Sequence, residues 1–259
     1  MSKELLHIWG PFSIQSYGLF IVIGLAVAVW LFLRDPKRKA LISHDDFSKV
    51  IVLAVFSAII GGRILYLIED SSSISSFWDI FKLWEGGLSS LGSIIAILLV
   101  IPPYLKHLKI PFIPFLDMAA IYAPMVEAIA RFGCFSAGCC YGKETTLPWA
   151  ITYTDSTTIA PLYKALHPAQ LYSAAAAFAI FLLMKYLFAN RINKPGQLVL
   201  SYIMLTSIAR FSIDFFRGDQ TFFKKTGIIS LLSTSQWLSL LLCTTSFITI
   251  VIIQKFFKK

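Results

Sequence analysis

Seven apolar stretches, each long enough to cross a bilayer, dominate this sequence. They cover residues 17–33, 50–68, 88–105, 112–132, 169–188, 197–216 and 237–257. A helix needs about 17–25 such residues to span the hydrocarbon. Few folds are open to such a chain, because backbone N–H and C=O groups in lipid must be satisfied internally and the spans are therefore helices. Composition agrees. Hydrophobic residues make up 57% of the chain and charged residues 14%, where soluble proteins carry about 25% charged residues. A water-soluble domain, a disordered chain and a coiled coil are excluded. The expectation is an all-α polytopic membrane protein whose 259 residues form a single integral-membrane domain. The first run follows no cleavable signal pattern and is expected to be retained.

The net charge of +9 would suggest nucleic acid as a partner in a soluble protein. Here the positive charges collect in loops, and no nucleic-acid partner is expected. The connections 34–49, 106–111 and 189–196 are short and basic. Those at about 69–87, 133–168 and 217–236 are longer and richer in Ser, Thr, Gly and aromatic residues. With the C-terminal tail and Lys185, the basic side holds thirteen Lys and Arg against six on the other. The positive-inside rule then places the N-terminus outside, the longer loops outside, and the C-terminus in the cytoplasm.

The remaining four cations, Arg63, Arg131, Arg210 and Arg217, lie within spans or at their outer ends. A charge at that depth is costly, so it faces a bundle interior or wet cavity and points to function. By the predicted topology all four gather in the outer half of the membrane. Arg210 and Arg217 are two helical turns apart, on one face. Acids accompany them: Glu127, Asp117, and Asp214 four residues after Arg210, a spacing suited to an intrahelical ion pair. Asp117 precedes Arg131 by fourteen residues, roughly 21 Å along a helix, and so lies nearer the inner side. Guanidinium groups match phosphate oxygens bidentately. The predicted ligand is thus an anion, most naturally a phospholipid phosphate; the competing reading is structural ion pairs or snorkelling side chains. Gly61-Gly62, Gly86-Gly87 and Gly92 would allow close approach of helices or ligand. Trp78, Trp84 and Trp149 suit an interfacial belt.

Cys134, Cys139 and Cys140 fall within seven residues. The spacing is not the CxxC of zinc ribbons or dithiol oxidoreductases. A metal site with His167 as fourth ligand, and a disulfide from Cys134 to Cys139 or Cys140, are the chemical alternatives. The reading adopted is no metal and no cofactor. His167-Pro168 precedes the fifth span, and its imidazole is a candidate general base.

Taken in order, these stretches resemble the prolipoprotein diacylglyceryl transferase family. They are Ser16-Tyr17-Gly18-Leu19, Gly61-Gly62-Arg63-Ile64-Leu65-Tyr66, Trp84-Glu85-Gly86-Gly87-Leu88-Ser89 and Asp117. Then come Arg131-Phe132-Gly133-Cys134-Phe135-Ser136-Ala137-Gly138, Gly142, and His167-Pro168-Ala169-Gln170-Leu171-Tyr172. Arg210-Phe211, Asp214-Phe215-Phe216-Arg217 and Gly227-Ile228 complete the set. The resemblance runs from about Ser13 to Gln254. It implies a bacterial inner-membrane enzyme that moves the diacylglyceryl group of phosphatidylglycerol onto the lipobox cysteine thiol of a preprolipoprotein. A thioether forms and glycerol phosphate leaves.

Residue by residue, the resemblance gives Arg131 and Arg210 the family's essential arginine positions, and Tyr17 its first-span tyrosine. Arg63, Arg217, Gly142 and Asp117 would contribute to phosphatidylglycerol binding. Asp214 stands where the family usually has Glu. The chain departs from the family in several places. Leu91 replaces the usual His, Cys134 and Ala137 replace two Asn, and Cys139 replaces Glu. Tyr141-Gly142-Lys143 replaces Trp-Gly-Arg. The general base therefore falls to Asp214, His167 or water. The alternatives are a paralogue with another acceptor and a phospholipid-binding protein without catalysis.

Overall fold

The computed structural model describes residues 4–9, 12–69, 87–192, 194–221 and 231–256. Trp78, Trp84, Gly86, the Trp84-Glu85-Gly86 part of the third motif, and Gly227-Ile228 lie outside the described residues, as do Lys3, Lys82, Lys224, Lys225, Lys258 and Lys259. Strands β1 (Glu4–Trp9) and β2 (Phe12–Gln15) pair at the start of the chain. Helix α1 (Ser16–Arg34) follows, then the short α2 (Arg38–Leu41), α3 (His44–Glu69), α4 (Ser90–His107) and α5 (Phe112–Ala137). After β3 (Ile151–Thr152) and β4 (Ala165–Leu166) comes α6 (Ala169–Leu182). It continues through a π-helical segment, Leu183–Phe188, into α7 (Ala189–Arg191). Helix α8 (Gln197–Ile213) runs into a 3-10 turn at Asp214–Phe216, and α9 (Thr234–Phe256) closes the chain.

Among the described residues, seven helices are long and apolar enough to cross a membrane: Ser16–Arg34, His44–Glu69, Ser90–His107, Phe112–Ala137, Ala169–Arg191, Gln197–Phe216 and Thr234–Lys255. Each coincides with one predicted run. Their outer faces display Val22, Trp30, Phe56, Leu99, Leu241 and Phe247 to the surroundings, which suits lipid and would be costly in water. The protein is a multi-pass membrane protein. The β pairs add to the helical plan without altering it.

The chain forms two compact units: Met1–His7, Ile14–Phe32 and Leu116–Lys259 in one, Ile8–Ser13 and Leu33–Phe115 in the other. In the second, α3 and α4 cross at Gly61 and Gly92, each lying against the other's backbone carbonyl, so that a methyl at either would collide with the facing helix. Ser93 Oγ adds a hydrogen bond to the Ala58 carbonyl (2.8 Å). Small residues let helix backbones approach, the usual basis of packing where lipid supplies no hydrophobic drive.

In the first unit, α1 lies along α5. A Cβ on Gly24 would sit 3.0 Å from the Val126 carbonyl oxygen, and one on Gly133 2.9 Å from Tyr17 Cα. Ala120, Ile180 and Met184 form a core with Leu205 and Tyr202 packed on it. Lys185, counted above with a basic loop, lies in the π-helical part of the span, where its Nζ donates to Tyr122 Oη (2.6 Å). Asp117 joins α5 to α8: its two oxygens accept the backbone N–H groups of Gly196 (2.6 Å) and Val199 (2.9 Å). These are donors at a helix start that have no partner within the helix.

Candidate active site

Two helices of the first unit set Arg131 and Arg210, and the turn after the second sets Arg217. Arg131 stands one and a half turns from the end of α5 and pairs with Glu127 one turn earlier, Nη2 to Oε1 at 2.8 Å. Arg210, near the end of α8, pairs with Asp214 one turn later, Nε to Oδ1 at 3.2 Å. The two arginines line one narrow crevice with Glu127, Ser173 of α6 and Thr206 of α8; Ala176, Ala177 and Ala209 leave the room for it. Its volume of about 30 Å³ holds roughly two waters. Arg131 Nε is buried there without a hydrogen-bond partner. One crevice therefore offers two guanidinium groups to an anion.

Asp214 is fully buried. It faces Arg217 as well as Arg210, with Nη1 of Arg217 at 3.9 Å, and it accepts a hydrogen bond from Ser235 of α9. Arg217 also grips Asp219 bidentately (2.9 and 2.8 Å). Burial works against its charge, but the Asp219 hydrogen bonds and the acidic surroundings hold its pKa above the ordinary guanidinium value. Two carboxylates thus share Arg217, and its placement is that of a clamp on the turn after α8.

Short strand pairings tie this turn to the loop between α5 and α6. Gly142 bridges to Arg217. Lys143 N–H donates to the Phe216 carbonyl (2.8 Å), Gly218 N–H to that of Tyr141 (3.0 Å), and His167 N–H to that of Lys143 (2.9 Å). The segment around Gly142 runs between two others as a strand, with its Cα against the His167 backbone where no side chain fits. Behind it, β3 and β4 pair in antiparallel register, Ile151 to Leu166, over a small core of Tyr153, Ala160 and Leu166. The loop read in the sequence as rich in Ser, Thr, Gly and aromatic residues is thus a stitched cap.

His167 lies beside the cap in an aromatic cluster, with ring centroids 5.3 Å from Phe216 and 6.1 Å from Tyr172. Its Nδ1 is 3.3 Å from Tyr172 Oη, which accepts a hydrogen bond from Trp149 Nε1 (2.8 Å). These four residues line an apolar groove of about 430 Å³, and its lining shares Ile213 with the arginine crevice.

The cysteines converge at the end of α5. The sulfur atoms of Cys134, Cys139 and Cys140 all lie within 4.8 Å of one another, and all three thiols are free. Arg131 Nη1 points at Cys140 Sγ (3.9 Å). Hydrogen bonding with Cys134 and then Cys139 pulls the Cys140 thiol below the ordinary range, helped by Arg217 and Arg131. Hydrogen bonding with Cys134 and Cys140 pushes Cys139 up.

The remaining predicted residues divide between the two units. Tyr17 is 44% exposed at the start of α1, beside Gly133. Asp117 caps α8 with both oxygens and is not brought to the arginines. Arg63, in the second unit, is 6% exposed; it donates to the Gly87 carbonyl (3.2 Å) and lies over the Tyr66 ring (5.6 Å). Leu91 is an exposed residue of α4 in the same unit. Sequence reasoning did not single out Ser173, Thr206 or Ser235, and took in Gln170 only as part of the His167–Tyr172 motif. Gln170 is fully buried and holds the Cys139 carbonyl (2.7 Å) and Tyr153 Oη (3.2 Å). Ser173 and Thr206 had one signal, polarity within an apolar run; Ser235, in a connection, had none.

Seven apolar spans and, in the first unit, a crevice lined by two arginines define a polytopic membrane protein with a polar site suited to an anion. Comparison with known proteins names the family. Residues 3–252 match the family model described as prolipoprotein diacylglyceryl transferase. The chain is 32% identical to the phosphatidylglycerol–prolipoprotein diacylglyceryl transferase of Clostridium tetani over 241 residues, 93% of each chain. It is 31% identical to such a transferase, numbered 2, of Clostridium perfringens, over 88% of this chain and 86% of that one. With the enzyme of Thermotoga maritima it shares 27% identity over 85% of this chain and 75% of the other. The chain belongs to the prolipoprotein diacylglyceryl transferase family.

Proposed function

We propose that residues 1–259 work as one integral-membrane domain of the bacterial inner membrane, N-terminus outside. It transfers the diacylglyceryl group of phosphatidylglycerol to the lipobox cysteine of a preprolipoprotein. The observation that carries this reading is the crevice in which Arg131 and Arg210, from two helices, face one small volume beside Glu127. The acceptor sulfur forms a bond to the glyceryl carbon, and the carbon–oxygen bond to phosphate breaks with its electron pair staying on oxygen. Glycerol phosphate leaves with one more negative charge than the phosphodiester carried. Guanidinium groups already in place lower the barrier by meeting that charge as it develops.

The thiol proton needs an acceptor, because the thiolate is the nucleophile. Asp214 is poorly suited: it is enclosed and held by two arginines and Ser235. His167 is the better base, since it lines the apolar groove whose wall shares Ile213 with the crevice. Phosphate in the crevice and the apolar part of a substrate in the groove would bring the reacting carbon between them. Tyr17 and Gly142 border this region. Arg217 positions Asp214 and the cap, and Arg63 and Asp117 act through the fold that holds the lipid site.

The test is a transfer assay with purified protein, phosphatidylglycerol vesicles and a lipobox peptide, following the peptide's mass increase and glycerol phosphate release. Wild type gives both signals. Arg131→Ala and Arg210→Ala each lose about 10²–10³-fold in rate while still inserting in the membrane. Full activity in both variants would sink the phosphate site. Lipid binding with neither product would transfer the weight to a non-catalytic phospholipid-binding protein.

A further inference from the structure

Three thiols meeting at one point is costly to arrange, and the chain arranges it by local backbone geometry. Cys134 is on the last turn of α5 and is buried. Gly138 ends that helix with φ +72°, and Cys140 takes φ +56°, a left-handed conformation that non-glycine residues rarely adopt. Buried Gln170 of α6 anchors the turn by bonding the Cys139 carbonyl. The outcome is that two consecutive cysteines present their sulfurs on the side facing Cys134.

A disulfide would use two of these sulfurs and strand the third, and one between adjacent cysteines is strained. One ion uses all three. Thiolates bind zinc at about 2.3 Å in a tetrahedron, which sets neighbouring sulfurs about 3.8 Å apart by the tetrahedral geometry. From separations of at most 4.8 Å the cluster closes with side-chain adjustments of about 1 Å or less. Charge also fits. Three thiolates and a divalent cation leave one net negative charge, and the Arg131 guanidinium stands at Cys140 Sγ to balance it. Hydrogen bonds from such outer groups orient and tune metal-bound thiolates. Hard cations that prefer oxygen ligands are the wrong class for this donor set.

We propose that Cys134, Cys139 and Cys140 form a tris-thiolate site for one zinc-class divalent cation, with the fourth position open to a ligand from outside the cluster. Binding releases the three thiol protons to solvent. His167 is not among the converging ligand atoms, so the fourth position does not fall to it. A zinc with three protein ligands and one open position is the pattern of catalytic rather than structural sites. If the transferase reading holds, the acceptor cysteine is a suitable fourth ligand, because a coordinated thiol is held as thiolate.

The experiment uses untagged full-length protein purified in detergent, with zinc measured by elemental analysis and cobalt as a spectroscopic probe. Wild type and Cys243→Ser should hold one ion per chain, and cobalt should give thiolate charge-transfer bands and tetrahedral visible bands. Adding a free cysteine-containing peptide should shift the visible bands. The triple variant Cys134→Ser, Cys139→Ser, Cys140→Ser should lose both ion and bands. If that variant fails to fold, the wild-type cobalt spectrum alone decides, since only thiolate ligation gives those bands. Wild type with no zinc and no charge-transfer band overturns the site, as does a thiol titration that finds two of the three oxidised. Wild type that takes up neither zinc nor cobalt yet carries out full transfer overturns the site and leaves the transferase reading intact. Ion-loaded protein without transfer does the reverse.

Discussion

At Asp214 a buried carboxylate faces two guanidinium groups, Arg210 at 3.2 Å and Arg217 at 3.9 Å, and takes a hydrogen bond from Ser235. Removing one member of such a buried group leaves an uncompensated charge, at a cost of about 3–5 kcal/mol. Asp214→Ala should therefore lower the thermal midpoint in detergent as well as the transfer rate. Asp214→Asn, which keeps the shape, should still lose most of the rate. A variant at wild-type stability and rate would show that the two arginines do not depend on this carboxylate. The Arg210–Asp214 pair was legible in the sequence because it obeys helical spacing. The Arg217–Asp219 fork and the Ser235 contact were not, since each depends on how the chain turns after α8. The arginines themselves announced the site by their depth. The thiol cluster was visible as a spacing but not as a geometry, because only the left-handed backbone at Cys140 brings its sulfur to the others.

Among the elements, α3 and α4 approach most closely where Gly61 meets Gly92. A Cβ on either meets the other's carbonyl, so the contact cannot be relieved by turning a side chain. Overpacking of this kind costs about 1–3 kcal/mol. Gly61→Val and Gly92→Val should each reduce the thermal midpoint, and the pair combined should be far from additive because both act at one contact. Additive losses would place the effect elsewhere. Asp117 yields a second prediction. Its carboxylate caps α8, and losing such a cap costs about 0.5–2 kcal/mol. Asp117→Ala should lower stability while leaving the Michaelis constant for phosphatidylglycerol nearly unchanged; a raised constant at unchanged stability would assign it to lipid binding instead. Helix existence and extent followed from the apolar runs, because the bilayer fixes their length. The stitched cap did not follow, because main-chain pairing between distant segments leaves no periodic trace in side chains.

For the whole molecule, the asymmetry of Lys and Arg between alternate connections predicts its orientation. Reporter fusions should find the C-terminus in the cytoplasm and the 133–168 loop outside. A cytoplasmic 133–168 loop would reverse the side on which an acceptor must arrive. The cap carries a further consequence, for how the enzyme comes into being. Gly142 and Arg217 are joined by main-chain pairing across two intervening spans, and α6 and α8 have yet to appear when Gly142 leaves the ribosome. Chains emerge from the N-terminus first, so the helices of the second unit and α5 are inserted before the crevice has its second arginine. Arg131 waits in the nascent protein with Glu127 alone. The crevice is therefore one of the last things the membrane insertion of this chain produces, and a truncated product would carry the lipid-facing scaffold without its second arginine.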